Sequence, residues 1–94
     1  MSKSREQKIA EALGRSVIWV AKEDGDVVGA TIRDRVRELL DESGLCFAFI
    51  RNPGGQNHMT AGKKKWDFNS GWFPDSELSK KLQDLLIWLA AQGA

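Results

Sequence analysis

The clearest pattern of apolar and polar positions spans residues 31–44. Four apolar residues recur at the spacing of one helix face, i, i+4, i+7 and i+8; they are Ile32, Val36, Leu39 and Leu40. Thr31 is a suitable N-cap, and Asp34 holds the position that Glu or Gln takes in a capping box. Gly44 suits the left-handed residue that ends a helix. The pattern predicts a helix over residues 31–43 with a charged, solvated side.

Two shorter segments precede this helix, and the second is ambiguous. Residues 7–13 are predicted to form a helix that ends at Gly14. Residues 16–22 contain four bulky apolar residues in a row, three of them β-branched, which favours a buried strand ending at the turn Glu-Asp-Gly-Asp. The same segment also fits the second helix of a helix-turn-helix. Both structures stay open at this point.

Residues 8–22 and 27–45 together resemble the helix-turn-helix and third helix of lactose-repressor-type regulators. Four positions match the small, turn, cap and core residues of that motif; in this order they are Ala10, Gly14, Ser16 and Val20. The resemblance implies that the helix over residues 31–43 braces a recognition helix. It also implies that the protein binds duplex DNA.

The chain departs from this motif at several positions. Arg15 in the turn and Glu23 late in the recognition helix stand where the motif has apolar residues. Val17, Ile18 and Trp19 would face outward, where base-reading side chains are usually polar. The strand interpretation of the segment therefore remains an alternative.

The second half of the chain is predicted to hold a small sheet. Residues 45–51 have apolar side chains on both faces and are predicted to be an interior strand. Residues 52–62 have the composition of a long polar loop with three glycines. Residues 64–69 are then the second strand of a hairpin with residues 45–51.

A final helix is predicted over residues 76–91, with Asp75 or Ser76 as its cap. Its apolar face consists of leucines, namely Leu78, Leu82, Leu85, Leu86 and Leu89. Ile87 and Trp88 widen this face well beyond one stripe. Because so broad an apolar surface is either deeply buried or shared with another subunit, we predict a homodimer through this helix.

Length and composition are those of one ordinary globular domain, with 41% hydrophobic and 29% charged residues in a chain of 94. The predicted fold class is α+β: helix-turn-helix-like helices, the brace helix, a β-hairpin and a C-terminal helix. With residues 16–22 as a strand, the order becomes α-β-α-β-β-α. The polar amino terminus and the lack of a long apolar run favour a cytoplasmic protein without membrane contact.

The net charge of +1 hides an alternation along the chain. Residues 1–22 carry five Lys or Arg against two Glu, residues 23–44 carry three Arg against seven acids, and residues 45–73 carry four basic residues against Asp67. Basic blocks of this kind are typical of proteins that bind polyanions, but they also arise when charges complement one another within a fold.

The chain offers little for catalysis or metal binding. Cys46 has apolar neighbours and is predicted to be a buried small hydrophobe, and His58 to be a solvated loop residue. Because these are the sole Cys and His residues, no zinc-type site and no cofactor are expected. No complete set of catalytic residues is found, so we do not expect an enzyme.

The first functional hypothesis is a small transcriptional regulator of phage or mobile-element type that binds duplex DNA as a dimer. Arg15, Ser16 and Lys22 would contact the operator. A basic wing would add phosphate and stacking contacts; its residues are Lys63, Lys64, Lys65 and Trp66.

The second hypothesis is a protein-binding inhibitor of a host system, similar to anti-CRISPR proteins, which are short and often have no catalytic residues. Four tryptophans in so short a chain suit a protein interface. The contact surface would be the loop 52–65, meeting an acidic protein. The predicted contact residues are Arg51, Gln56, Asn57, His58, Trp72 and Trp88.

Overall fold

The computed structural model describes residues 3–63, 65 and 67–92, and it has α+β architecture, as predicted. In chain order the elements are α1 (Arg5–Leu13), α2 (Val17–Lys22), α3 (Gly25–Ser43), β1 (Cys46–Arg51), β2 (Gln56–Gly62), β3 (Phe68–Asn69), β4 (Phe73–Pro74), a 3-10 turn (Asp75–Glu77) and α4 (Leu78–Gln92). Helices therefore come first, a small antiparallel sheet follows, and a C-terminal helix completes the fold.

Helix α1 begins slightly earlier than predicted because Ser4 caps it. The N–H of Gln7 donates to Ser4 Oγ at 3.2 Å, and the N–H of Ser4 donates to Gln7 Oε1 at 2.8 Å. These reciprocal bonds form a capping box. The helix ends at Gly14, whose φ of +68° is the left-handed conformation expected of a glycine stop.

Residues 17–22 are helical, so the strand alternative is wrong. Ser16 caps this helix, since the N–H of Trp19 donates to Ser16 Oγ at 3.0 Å. The β-branched residues Val17 and Ile18 favoured a strand, but their side chains are exposed and no neighbouring strand lies beside them in the described chain. Local capping therefore prevails over β-propensity here.

Helix α3 starts earlier than predicted, at Gly25, because its N-cap is Asp24 and not Thr31. The carboxylate of Asp24 accepts the N–H of Asp26 at 2.9 Å. Thr31 lies within the helix, where its hydroxyl donates to the carbonyl of Val27 at 2.8 Å. The predicted end is confirmed, since Gly44 has a φ of +69°.

The hairpin partner of β1 was predicted wrongly. β1 pairs along its whole length with β2, so residues 56–62 are the central strand of the sheet and not part of a long loop. A tight turn over residues 52–55 joins the two strands; Gly55 takes a φ of +81° and Asn52 Oδ1 accepts the N–H of Gln56 at 2.9 Å. Of the predicted strand 64–69, residues 68–69 pair with β2, and Lys64 and Trp66 lie outside the described residues.

β1 is an edge strand, not an interior one. On the opposite side of β2, the short strands β3 and β4 pair one after the other. Cys46 on β1 is exposed, which corrects the prediction that it is buried. His58 lies on β2 and is half-buried, so it is not a solvated loop residue.

The core lies between the helices and one face of the sheet. Its largest fully buried apolar side chains come from four elements and are Ile32, Met59, Phe73, Leu85 and Leu86. Helix α4 packs against α1 and α3, and this packing accounts for the breadth of its apolar face. Arg5 on α1 reaches α4, with its guanidinium 2.7 Å from the carboxylate of Asp84 and 3.0 Å from Gln83 Oε1.

The start of α4 also differs from prediction. Neither Asp75 nor Ser76 caps it, because a 3-10 turn over Asp75–Glu77 leads directly into the helix. The carboxylate of Asp75 is occupied elsewhere, by Arg51 and Asn57.

Candidate functional site

The corner between α1 and α2 has the geometry of two helices joined by a tight turn. Gly14 supplies the left-handed residue, and the N–H of Arg15 donates to the carbonyl of Ala10 at 2.9 Å. Ala10 is buried, as the resemblance requires of the small residue in the first helix. The turn therefore holds α2 against α1.

Helix α2 presents a mixed polar and apolar surface. Ser16 and Lys22 at its two ends are exposed, and Ile18 between them is 68% exposed. Trp19 and Val20 are half-buried and form the inner side. The predicted DNA-contacting residues Arg15, Ser16 and Lys22 thus lie in the turn, at the cap and at the end of α2.

Arg15 is positioned by an aromatic ring. Its guanidinium carbon lies 4.9 Å from the centre of the Trp19 ring, a cation–π arrangement. The stack leaves the guanidinium at the surface, because Arg15 is exposed. Contact with Trp19 therefore restricts the conformation of the Arg15 side chain more than that of an isolated surface arginine.

The charges around this corner are mixed. Within the described residues, neither Arg15 nor Lys22 forms a salt bridge, whereas Lys3 is paired with Glu11 at 2.7 Å. Glu23 and Asp24 follow Lys22 directly and are exposed. The electrostatic attraction of this corner for phosphate is therefore modest.

The predicted basic wing does not join this corner. Lys63 borders a groove of 500 Å³ with Glu42 and Ser43, at the C-terminal end of α3. Lys22 ends α2 and lies three residues before the other end of α3, a helix of 19 residues and hence about 28 Å long. Lys65 is exposed, and Lys64 and Trp66 lie outside the described residues.

A compact polar network joins the hairpin to the entry of α4. Arg51 binds Asp75 through two nitrogens, at 2.9 and 3.1 Å, and Asn57 Nδ2 donates to the same carboxylate at 2.7 Å. The Asn57 bond, and after it the Arg51 bond, hold the pKa of Asp75 below its usual value. Asn57 is fully buried, so this predicted contact residue has an internal role.

The remaining predicted partner-binding residues are divided between the surface and the core. His58 packs against Trp72 with ring centres 5.0 Å apart and ring planes tilted by 46°, on the sheet face away from the helices. Trp72 is 52% exposed, and Gln56 is exposed as well. Trp88 is half-buried and packs on Phe68 at 5.6 Å, so it belongs to the core.

Sequence reasoning missed the exposed apolar side chains of β1. Phe47 is 38% exposed, Phe49 48% and Ile50 51%. The signal was an uninterrupted apolar run, which favours an interior strand. An edge strand with apolar residues on both faces produces the same run of letters.

Among the described residues, no group of three or more His, Cys, Asp or Glu side chains is arranged to hold a metal ion. In that same part of the chain, no helix combines the length and apolar character needed to cross a membrane. Comparison with protein-family models, with curated proteins and with solved structures finds no match to this chain.

Proposed function

We propose that the protein is a small DNA-binding regulator of phage or mobile-element type and that the α1–α2 corner is its duplex-binding surface. The observation that supports this proposal is the helical conformation of residues 17–22, capped by Ser16 and joined to α1 through Gly14. A strand at this position would have removed the recognition helix. In this proposal α3 is the brace behind the corner and takes no part in binding.

The expected contacts follow from the exposed groups. Arg15, aligned by Trp19, and Lys22 would neutralise phosphates, while Ser16 would donate to a phosphate oxygen. Ile18 would contact an apolar base edge such as a thymine methyl. Two cations for each chain predict a slope of log K against log salt of about −2 for one copy and about −4 for a dimer.

Fluorescence anisotropy of a labelled duplex, titrated with the protein at several salt concentrations, tests this proposal. Lys22→Gln is expected to weaken binding and to reduce the magnitude of the slope by about 1 for one bound copy and by about 2 for a dimer. The matched control is Lys63→Gln, which removes the same charge from the far end of α3. Equal losses in the two variants, or no detectable binding at low salt, would count against the proposal.

A second candidate is a protein-binding inhibitor, and the exposed Trp72, which packs against His58, favours it. The contact surface would be the open face of the sheet, since the predicted loop 52–65 is largely the central strand β2. A single stoichiometric partner that is retained by Ile18→Ala but lost by Trp72→Ala would support this function. Retention by both variants would argue against it.

A further inference from the structure

The outer edge of β1 carries backbone groups that the described chain does not use. The N–H of Met59 donates to Ser70 Oγ at 2.8 Å, and its carbonyl accepts the N–H of Ser70 at 3.0 Å. Both groups of Met59 therefore point away from β1, and its pairing with Phe49 is of the non-hydrogen-bonded kind. Phe49 consequently directs its own N–H and carbonyl to the outer edge.

The hairpin turn indicates independently which main-chain groups of β1 point to the outer edge. The N–H of Asn52 donates to the carbonyl of Gln56 at 2.9 Å, so residue 52 points its groups toward β2. Because the direction alternates with every residue, Phe47, Phe49 and Arg51 direct theirs outward. The outer edge thus offers a row of donors and acceptors over the length of a strand.

The side chains around this edge are apolar on both faces. Phe47 and Phe49 lie on the helix side, opposite the buried residues Ala61 and Met59. Cys46 and Ile50 lie on the other face and are exposed. Arg51 is the one charged residue of β1, and Asp75 already pairs with it.

Most of the devices that usually protect an edge strand are absent from β1. It contains no lysine or proline, its pairing with β2 runs without a bulge, and its single charged residue, Arg51, stands at the end of the strand and is paired with Asp75. The opposite edge of β2 is interrupted, because β3 and β4 have two residues each and Ser70 lies between them. The two sides of the sheet therefore differ in their capacity to accept another strand.

We infer that β1 is a dimer interface at which β1 of a second copy pairs with it antiparallel, joining the two sheets. The register that matches the outward groups places the two-fold axis at Ala48, so that Phe47 of each copy faces Phe49 of the other. On the opposite face Cys46 meets Ile50. Every apolar residue of the strand then meets an apolar residue, and Arg51 lies beyond them.

A second copy is the occupant that this edge fits, because a strand with this pattern is complementary to itself. The two pairs of Phe47 with Phe49 would exchange about four main-chain hydrogen bonds. The exposed parts of Phe47, Phe49 and Ile50 amount to roughly 250 Å² on each copy. That area lies well below a standard interface, so the dimer is expected to be weak, with a Kd in the range of about micromolar to millimolar.

Sedimentation velocity of the full chain from micromolar to millimolar concentration tests the inference. Phe49→Lys is expected to raise the Kd more than about tenfold, because the charge enters the interface twice. The matched control is Val27→Lys, since Val27 is 46% exposed on α3 and Phe49 is 48% exposed. Only the Phe49 variant should dissociate, and circular dichroism reports whether both variants are folded.

Oxidative cross-linking tests the register and does not depend on the Phe49 variant. In a Cys46→Ser background, Ala48→Cys places two thiols across the axis in a non-hydrogen-bonded pair, about 4.5 Å apart at Cα. The unmodified chain is the control, since its two Cys46 residues would lie about 13 Å apart and beyond disulfide reach. Ala48→Cys should form a disulfide-linked dimer, and the control should not.

Three results would overturn the inference. The first is a monomer at every concentration, and the second is a dimer that tolerates Phe49→Lys, as one formed through α4 would. The third is an Ala48→Cys variant that does not cross-link under conditions where the unmodified protein is dimeric. In the first case, association with an unrelated extended peptide would identify that peptide, and not a second copy, as the occupant of the edge.

Discussion

The cap of α2 gives the sharpest prediction about the proposed recognition helix. Removing the hydroxyl by Ser16→Ala leaves the N–H of Trp19 without its partner. The loss of such a cap costs about 1 kcal/mol, within a range of roughly 0.5–2. No residue of α2 is fully buried, so little tertiary packing opposes its opening.

We therefore expect the loss to appear as local opening and not as a change in global stability. A cost of about 1 kcal/mol corresponds to roughly fivefold faster amide exchange in α2. The reporters are the N–H groups of Val20 and Glu23, which donate to the carbonyls of Ser16 and Trp19 at 3.2 and 2.9 Å. Hydrogen exchange measured by NMR follows both of them directly.

Ser4→Ala on α1 is the matched control. Ser4 caps its helix in the same way, but α1 buries three residues in the core, namely Ile9, Ala10 and Ala12. Removal of this cap should therefore lower the urea midpoint of the whole protein. If Ser16→Ala lowered that midpoint as much and accelerated exchange of the core amides as much as that of Val20 and Glu23, α2 would unfold with the core, and the reasoning would be wrong.

Four further substitutions test the fold. Leu86→Ala should lower the free energy of unfolding by about 2–5 kcal/mol, measured in urea, because Leu86 is fully buried. Gly29 lies inside α3 with open space where a Cβ would stand, so Gly29→Ala should stabilise the protein by about 0.5–1 kcal/mol. Gly62→Ala should destabilise it, because the added Cβ would collide with the carbonyl of Lys65. Thermal melting of the two variants measures both effects. The pKa of Asp75 is lower in the folded protein than its ordinary value of 3.8. Its carboxylate therefore stabilises the fold above pH 3.8, and this contribution is lost as the pH falls through the folded pKa. Asp75→Asn should flatten that part of a plot of the free energy of unfolding, measured in urea, against pH.

The helices were largely predictable because their signals are local. Gly14 and Gly44 end α1 and α3 as expected, each in the left-handed conformation. The start of α3 was missed because Asp24-Gly25 has the composition of a turn, although Asp24 is a good cap. A cap and a turn use the same residue types, so composition alone does not separate them.

The sheet was less predictable because its strands are defined by partners distant in sequence. β2 contains glycine and several polar residues, and only its place between β1 and the short strands identifies it as central. Strand preference depends on packing against such neighbours more than on the residues themselves. Asn57 was consequently assigned to a contact surface, whereas its partner Asp75 lies 18 residues away along the chain.

In the candidate site, the helix over residues 17–22 could be predicted from its cap residue Ser16 and the turn residue Gly14. The distance between Lys63 and Lys22 could not be predicted, because it depends on how β2 returns beside the end of α3. The exposure of Phe47 and Phe49 was equally hidden, since the sequence does not state how far the helices extend across the sheet.

The pairing of α1 with α4 has a consequence for the order of events during protein synthesis. α1 has nine residues, too few for a stable isolated helix in water, and Ile9 is buried by elements that include α4. The ion pair between Arg5 and Asp84 likewise forms only after nearly the whole described chain has been synthesised. The nascent chain should therefore hold its first helix unformed until α4 has been translated, which makes the time before that point the period of greatest exposure to chaperones and proteases.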